Sequence, residues 1–374
     1  MDSKSNEELI NFQLNQVEIG YQLGINIKKK KHTIFNQKKI FKKIHYTFHE
    51  NIIFLKEFFS KINFFSTSVF QLQSWFFFWF LNSIDFSGKI LNKKIKINII
   101  NALIKNLLGK GSKNLIFLNI ETLFPIYSSI ISLSSLGDFS SILKKKHKHM
   151  IYVFLRKLKI SSTPKSSSNG EIDPRVNFSF IIIGSCLNFF TKNLFNDIFL
   201  NNEHFGSCDG GFGFDKFDES HGALTFCSIC SFFFFQGKKQ FGNTNPSLEN
   251  WFYNKIKPFE FFFIGRISKI PDSCYFYWLG AISIICNFFF PIEFLNSLIY
   301  CKTKKYGGLS DQPSKIPDLY HTSYSLCGLS FYIFCKKTKK YREEMGGKFF
   351  YYLQLPKINP IMGIKESKSV LSFI

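Results

Sequence analysis

Three side chains in the second half of the sequence carry the donor types of a catalytic metal site. Asp272 and Cys274 stand two residues apart at the start of one apolar stretch, and His321 stands at the start of the next. A carboxylate, a thiolate and an imidazole are all good ligands for Zn2+. Three protein ligands with a fourth position open is the pattern of a zinc that does chemistry, not of one that holds a fold together. By spacing alone a second reading stands beside this one: a lone Cys in an apolar run is commonly core, and a lone His near a helix start is commonly a capped surface residue. Cys227 and Cys230 lie inside another apolar stretch with no second pair nearby, and read as buried thiols. Around the trio gather Arg266, Lys269, Tyr275 and, further upstream, His221. Arg and Lys at a dry mouth backed by helix N-termini make a site for a diphosphate; ordinary loop charge is the alternative. Only four of the 48 Lys and Arg residues are Arg, which makes Arg175 and Arg266 informative where they stand.

Residues so far apart must be brought together by the fold, and the sequence has a period that does it. Glycine-rich turns recur as Asp209–Gly213 and Tyr306–Leu309, with a degraded counterpart at Glu260–Arg266. After each, an acidic residue opens an apolar stretch: Glu219 before His221–Phe235, Asp272 before Cys274–Phe290, Asp318 before Tyr320–Phe334. Asp173 opens Phe178–Phe190, and two earlier stretches begin at Trp75 and Phe124. A fixed period of this length signals a repeated supersecondary unit. An acidic residue at a helix start complements the dipole, and Gly ends the preceding helix. The apolar helix of each unit should be buried on both sides, and its mixed partner, such as Pro246–Lys257, should face solvent. Six such pairs can stack as a solenoid or close into a ring. In a ring, the inner helices would bring Trp75, Arg175, His221, Asp272, Cys274 and His321 to one central mouth.

Composition narrows the class. The chain has 374 residues, enough for one large domain or two ordinary ones, with 45% hydrophobic residues that include 50 Phe. Phe, Lys, Ile and Asn share AT-rich codons, so a biased genome accounts for much of this and for part of the net charge of +22. The basic runs Lys28–Lys31, Lys38–Lys43 and Lys144–His149 read as solvated stretches; no nucleic-acid-binding motif accompanies them, and no nucleic acid partner is expected. Residues 1–50, rich in Lys and Asn, are expected to form a loose basic segment ahead of a domain over 51–374. Nine Cys without scaffold spacing, and a polar start with no signal peptide, point to a reducing, cytoplasmic setting. A charge-free run from Cys274 to Ile292 is long enough for a membrane span. A Phe-rich multispanning membrane protein is therefore the competing class, but Asp272 just before the run, and Asn287 and Pro291 within it, argue against a span.

Two segments carry a family resemblance. Gly307–Ser330 is similar to the pattern GGLxDxPxKxxDxYHTxYxLxGLS, and Gly265–Ala281 to GRxNKxxDxCYSFWxGA. Weaker echoes are Gly170–Arg175, Glu219–Cys227 and Trp75–Trp79, in the same order. On these residues the chain resembles the β subunits of protein prenyltransferases, of the farnesyltransferase type more than the geranylgeranyl type.

The resemblance implies an all-α fold, an α/α toroid built as a barrel of six helical hairpins. It implies Zn2+ held by Asp272, Cys274 and His321, with Tyr275 beside them at the reacting centre. It implies farnesyl diphosphate contacts at His221, Leu224, Cys227, Arg266, Lys269, Tyr275, Trp278 and Phe178, and Mg2+ assisted by Asp311. Trp75, Trp79, Arg175, Tyr320 and Tyr324 match positions near the peptide substrate, and Trp75, Trp278 and Tyr324 also match aromatic positions along the isoprenoid tunnel. A bulky Trp75 and an acidic Asp311 favour farnesyl over geranylgeranyl. The implied partners are an α subunit and proteins ending in a C-a-a-X motif. The chain departs from the pattern at Phe261-Phe262, where the family has Gly-Gly. It departs again at Ala223-Leu224, where the family has Gly-Tyr, and at Phe178, where it has Tyr. Around Lys110–Asn119 the second unit's glycine turn is unrecognisable.

Overall fold

The computed structural model describes residues 72–88, 90–108, 122–137, 139–160, 163–189, 203–236, 246–257, 262–288, 294–301, 307–334 and 355–369, with 54, 55, 195 and 198. Residues 1–50, with two of the basic runs, and the stretch Lys110–Asn119 lie outside the described residues, as does Phe261.

Six apolar helices form the inner wall: α1 (Gln73–Phe86), α3 (Leu123–Ser135), α6 (Pro174–Leu187), α7 (Gly222–Gln236), α9 (Tyr275–Cys286) and α11 (Leu319–Phe334). Each packs on the next in that order, and α11 packs back on α1, so the ring is closed. At the seam the Asn82 amide nitrogen donates to the Ser323 hydroxyl at 3.0 Å and to the Cys327 sulfur at 3.1 Å. These helices are buried almost all round, as continuous apolar sequence requires. Outside them lie α2 (Lys93–Leu108), the short α4 (Phe139–Ile142), α5 (Lys145–Leu158), α8 (Pro246–Asn254) and α10 (Phe294–Tyr300). The basic run Lys144–His149 opens α5; the lysines at 144–146 are exposed and His147 is buried. On α8, Leu248, Trp251 and Phe252 form the buried stripe of a helix otherwise turned to solvent.

Two-residue ribbons link outer to inner helices: β1 (Lys159–Ile160) pairs antiparallel with β2 (Thr163–Pro164), and β3 (Ile256–Lys257) with β4 (Phe262–Phe263). The outer helix expected over Pro246–Lys257 therefore ends at Asn254 and continues as a strand.

The apolar run that raised a membrane span, and its counterpart in α6, both end in a left-handed residue. α9 ends where Asn287 turns left-handed at φ 58°, and α6 where Asn188 does so at φ 59°. Asn tolerates that conformation and closes the last turn. Among the described residues no helix is long and apolar enough to cross a membrane.

Carboxylates do open inner helices, as expected. Asp173 accepts from the backbone N–H of Arg175 and Val176, Asp272 from that of Cys274, and Asp318 from that of His321. The α7 start differs: Glu219 is exposed, and the His221 Nδ1 accepts the Ala223 N–H at 3.1 Å instead.

Candidate active site

Loop geometry places the metal trio on one rim. Asp272 hangs from the preceding ribbon by its backbone N–H, which donates to the Phe263 carbonyl at 3.1 Å. Ser273 N–H donates to the Asp311 carbonyl at 2.9 Å, tying the α9 start to the loop that leads into α11. Asp272, Cys274 and His321 then offer one ligand atom each, all within 4.8 Å of one another. Among the described residues they are the one such cluster of His, Cys, Asp and Glu. His321 Nε2 lies 3.3 Å from the Asp272 Oδ1, and bonds of about 2.0 Å to a tetrahedral zinc would hold two such atoms about 3.3 Å apart. The other ring nitrogen, Nδ1, meets the Asp318 Oδ2 at 2.6 Å, which orients the imidazole and leaves Nε2 to face the trio. The residues present fit a zinc ion.

The electrostatics agree with a cation site. Burial opposes charge on His321, yet Asp272 and Asp318 overcome it and raise the imidazole to about 9. Burial likewise works against the Asp272 carboxylate, but hydrogen bonds from His321 and Cys274 hold it below the usual range. Cys274 is pushed well up by burial and by the neighbouring Asp272. A metal ion would displace the protons held by His321 and Cys274.

Beside the trio, the Tyr275 hydroxyl lies 3.2 Å from the His221 Nε2. The Tyr275 ring fits against Gly222 and Gly265, where a Cβ would meet it at 2.9 Å and 1.8 Å. Gly222 N–H donates to the Gly265 carbonyl at 2.9 Å, locking the two loops together. Burial, then the charges of Arg266, Arg175 and Lys255, lower His221 to about 4, so it is neutral at pH 7. With Nδ1 accepting from Ala223, the neutral ring carries its proton on Nε2. Arg266 and Lys269 are exposed on the same loop.

Below the rim runs a lining of rings. Trp75 stacks on Trp79 with centroids 5.8 Å apart, and Trp79 meets Tyr320 edge-on at 5.3 Å. Tyr320 lies 4.8 Å from Tyr324, and its hydroxyl accepts the Trp278 N–H at 3.3 Å. Trp278 lies 5.0 Å from Tyr324. Phe178 contacts Phe226, itself 5.2 Å from Trp278. Leu224 and Cys227 are buried on α7.

Two expected residues are engaged by partners of their own. Arg175 is held by Asp173 at 2.7 Å and Glu171 at 3.2 Å, and lies over the rings of Phe124 and Phe214. Asp311 directs its carboxylate to Lys315 at 3.0 Å. Tyr127 is a lining residue the sequence reading missed. It sits 5.7 Å from both Trp75 and Phe178 and joins the two ends of the ring lining.

Comparison with known proteins agrees with this architecture. Residues 47–364 match the family model described as the prenyltransferase alpha-alpha toroid domain. The chain is 29% identical over 227 residues to the protein farnesyltransferase subunit beta of Schizosaccharomyces pombe, covering 56% of this chain and 58% of that protein. It is 30% identical over 219 residues to the geranylgeranyl transferase type-1 subunit beta of Dictyostelium discoideum, covering 55% and 58%. The aligned stretch thus spans little more than half the length of these curated relatives. A solved Candida albicans protein geranylgeranyltransferase-I complexed with GGPP superposes with a TM-score of 0.65 at 17% identity, over 86% of this chain and 96% of that one. That likeness speaks for the fold alone. A ring of six inner helices, a family match over most of the sequence and relatives of both prenyl types lead to one conclusion: the chain belongs to the prenyltransferase α/α-toroid family, among the protein prenyltransferase β subunits.

Proposed function

We propose that this chain is the catalytic β subunit of a zinc-dependent protein farnesyltransferase, moving a farnesyl group from farnesyl diphosphate to the cysteine thiol of proteins ending in C-a-a-X. The observation that carries the reading is the meeting of Asp272, Cys274 and His321 on the rim that also holds the His221–Tyr275 pair.

Zinc bound by the trio would supply the positive charge that keeps an incoming cysteine as thiolate at neutral pH. The chain's own residues do the rest. His221 through Nε2–H, the Tyr275 hydroxyl, Arg266 and Lys269 receive the diphosphate and stabilise the charge that builds on it as it leaves. No side-chain base is needed, because the attacking sulfur has already lost its proton. The prenyl chain lies against Trp75, Phe178, Leu224, Cys227, Trp278 and Tyr324, and these apolar walls exclude water. Trp79, Tyr320 and Arg175 face the peptide. Asp311 would assist Mg2+ at the diphosphate, since Mg2+ is commonly held by one or two carboxylates together with substrate phosphates; its pairing with Lys315 would have to open.

The farnesyl assignment rests on bulk and charge: Trp75 and its neighbour Tyr127 crowd the lining, and Asp311 is acidic. An α subunit is the expected partner, contributing a further Lys to the diphosphate. Eight described cysteines are free, which suits a reducing cytoplasm.

The test is co-expression with the cognate α chain, metal analysis, and competition between C15 and C20 diphosphates on a C-a-a-X peptide. Stoichiometric zinc and preferred use of the C15 donor are expected. Preference for C20 would move the assignment to the geranylgeranyl type, and zinc-loaded protein that uses neither donor would overturn the activity.

A further inference from the structure

Lys255, the residue that follows α8, carries its charge inside the protein. It is 1% exposed and is the one buried lysine among the described residues. Burying an ammonium costs free energy unless partners receive it. Its Nζ lies 3.8 Å from the Asp209 Oδ2 and 5.2 Å from the centre of the Trp251 ring. Burial lowers Lys255 below the ordinary lysine value, and Asp209 and Glu219 work against that. The Asp209 carboxylate is clamped in turn. Its Oδ1 accepts the Gly211 N–H at 3.1 Å, and its Oδ2 accepts the Ser220 hydroxyl, which itself accepts the Trp251 indole N–H. Ser220 is wholly buried.

Two backbone paths lead from this cluster to the rim. Ser220 immediately precedes His221, whose N–H donates to the Phe212 carbonyl at 2.9 Å. On the other path, the Lys255 carbonyl accepts the Ile264 N–H at 2.9 Å. The next residue, Gly265, bears against the Tyr275 ring and accepts the Gly222 N–H at 2.9 Å, and Arg266 follows it. The following unit makes the same outer bond without a charge: Ser310 N–H donates to the carbonyl of the wholly buried Cys301 at 3.0 Å. There Pro271 stands in the place of Ser220, and Ser297 in that of Trp251. The fold therefore makes this bond without a buried cation.

We infer that Lys255 is a positioning residue for the diphosphate: through Asp209, Ser220 and Trp251 it holds His221 and the Ile264–Arg266 segment in one register, so that His221, Tyr275 and Arg266 meet the same ligand. The inference rests on the functional reading above and adds a support to the site named there. A fully paired buried polar cluster rigidifies what it joins. The charge has a second consequence. The cations that act on His221 are Arg266 on the facing loop, Arg175 from α6 and Lys255 from the end of α8, while the Tyr275 hydroxyl of α9 lies at 3.2 Å. Removing Lys255 should move the His221 titration up from about 4 toward its ordinary 6.5.

The experiment uses the full chain co-expressed with its α partner. Inorganic pyrophosphate and farnesyl diphosphate are titrated by calorimetry, zinc content is measured, and the imidazole of His221 is followed across pH by NMR of protein with 15N-labelled histidine. Lys255→Met is expected to weaken both ligands by the same factor, about tenfold, since small misplacements of binding groups cost up to about 100-fold. Zinc should stay bound, and the His221 titration should move up. Phe252→Leu is the control. It loosens α8 at its contacts with Phe263 and Phe288, away from the cluster, and should lower the urea midpoint with pyrophosphate affinity unchanged. Should Lys255→Met not fold, Trp251→Phe, which deletes the indole N–H that Ser220 accepts, carries the affinity test. Unchanged affinity overturns the positioning role and leaves the functional reading intact. So does a loss as large in Phe252→Leu, a loss accompanied by release of zinc, or a loss in Lys255→Met with the His221 titration unmoved. Failure of the wild-type complex to bind either ligand overturns the functional reading and the positioning role with it.

Discussion

Phe212 and Phe263 occupy the same place in two successive units of the ring, and their surroundings could hardly differ more. The Phe212 N–H donates to the Thr225 hydroxyl at 2.9 Å, within a polar nest. There Asp209 accepts from Ser220, Ser220 accepts from Trp251, and Lys255 lies 3.8 Å from Asp209, almost wholly buried. Gly210 takes φ 93° and Gly211 lets the Trp251 ring approach, where a Cβ would collide at 2.3 Å. In the next unit the glycines are gone, and Phe276 stands thirteen residues after Phe263 where the threonine would be. Phe263 stacks on Phe294 at 4.3 Å and packs on Phe252 and Phe276. The unit after that reverts to the polar form, with Leu309 N–H on the Thr322 hydroxyl at 2.9 Å. One bond survives both solutions: the Phe212 carbonyl accepts from His221 at 2.9 Å, and the Phe263 carbonyl from Asp272 at 3.1 Å. The ring needs a fixed carbonyl from which to hang each rim residue; whether glycines and hydroxyls or phenylalanines fix it is interchangeable.

The comparison is most sharply broken at the rim residues themselves. Cys274→Ala or His321→Ala should abolish metal retention and turnover, whereas Thr225→Val in the polar unit should leave metal content intact; metal analysis and single-turnover assays separate the cases. Next in size is the apolar unit's anchor. Phe263→Ala should destabilise by about 3–5 kcal/mol, because it empties a wholly buried ring site. It should also loosen metal binding through Asp272, read as a lower urea midpoint and faster zinc loss to a chelator.

Titration should show opposite signs for the two histidines that bracket the site. In metal-free protein, His321 is raised above its ordinary 6.5 to about 9, so its contribution is complete below pH 6.5 and is lost as pH rises through 9. The change is up to roughly 3 kcal/mol. His221 is lowered to about 4, so its contribution is present above pH 6.5 and is lost as pH falls through 4. Melting curves across pH should form a dome, with His321→Asn flattening the alkaline side and His221→Asn the acid side. A melting temperature independent of pH would contradict both assignments. Smallest is Thr225→Val, which leaves the Phe212 N–H unpaired at a cost of about 1–2 kcal/mol; equal losses in Thr225→Val and Phe263→Ala would erase the contrast between the units.

Much of this was legible before any coordinates. The period placed the inner helices, and the residue types of Asp272, Cys274 and His321 pointed to a candidate cation site, whose members the fold brings within 4.8 Å of one another. Tyr127 was not legible. It sits in an apolar stretch with no polar motif, and an aromatic in such a stretch reads as core. The α9 run was drawn as far as Phe290, but it ends at Asn287, because hydrophobicity does not mark where a left-handed residue closes a helix. Glu219 drew attention as a cap by its charge, while the neighbouring imidazole of His221 took the role. The nest around Asp209 includes Lys255, which reaches back from the end of α8, a contact set by shape, not by any local pattern.

The seam between the first and last inner helices has a consequence for how the protein is made. Asn82 finds its partner Ser323 only after 241 further residues have left the ribosome, roughly 10–50 s at ordinary rates of synthesis. Through that interval α1 has one flank bare and greasy, and His321 has not yet met Asp272. That flank of α1 is covered only when the last inner helix arrives and the circle shuts.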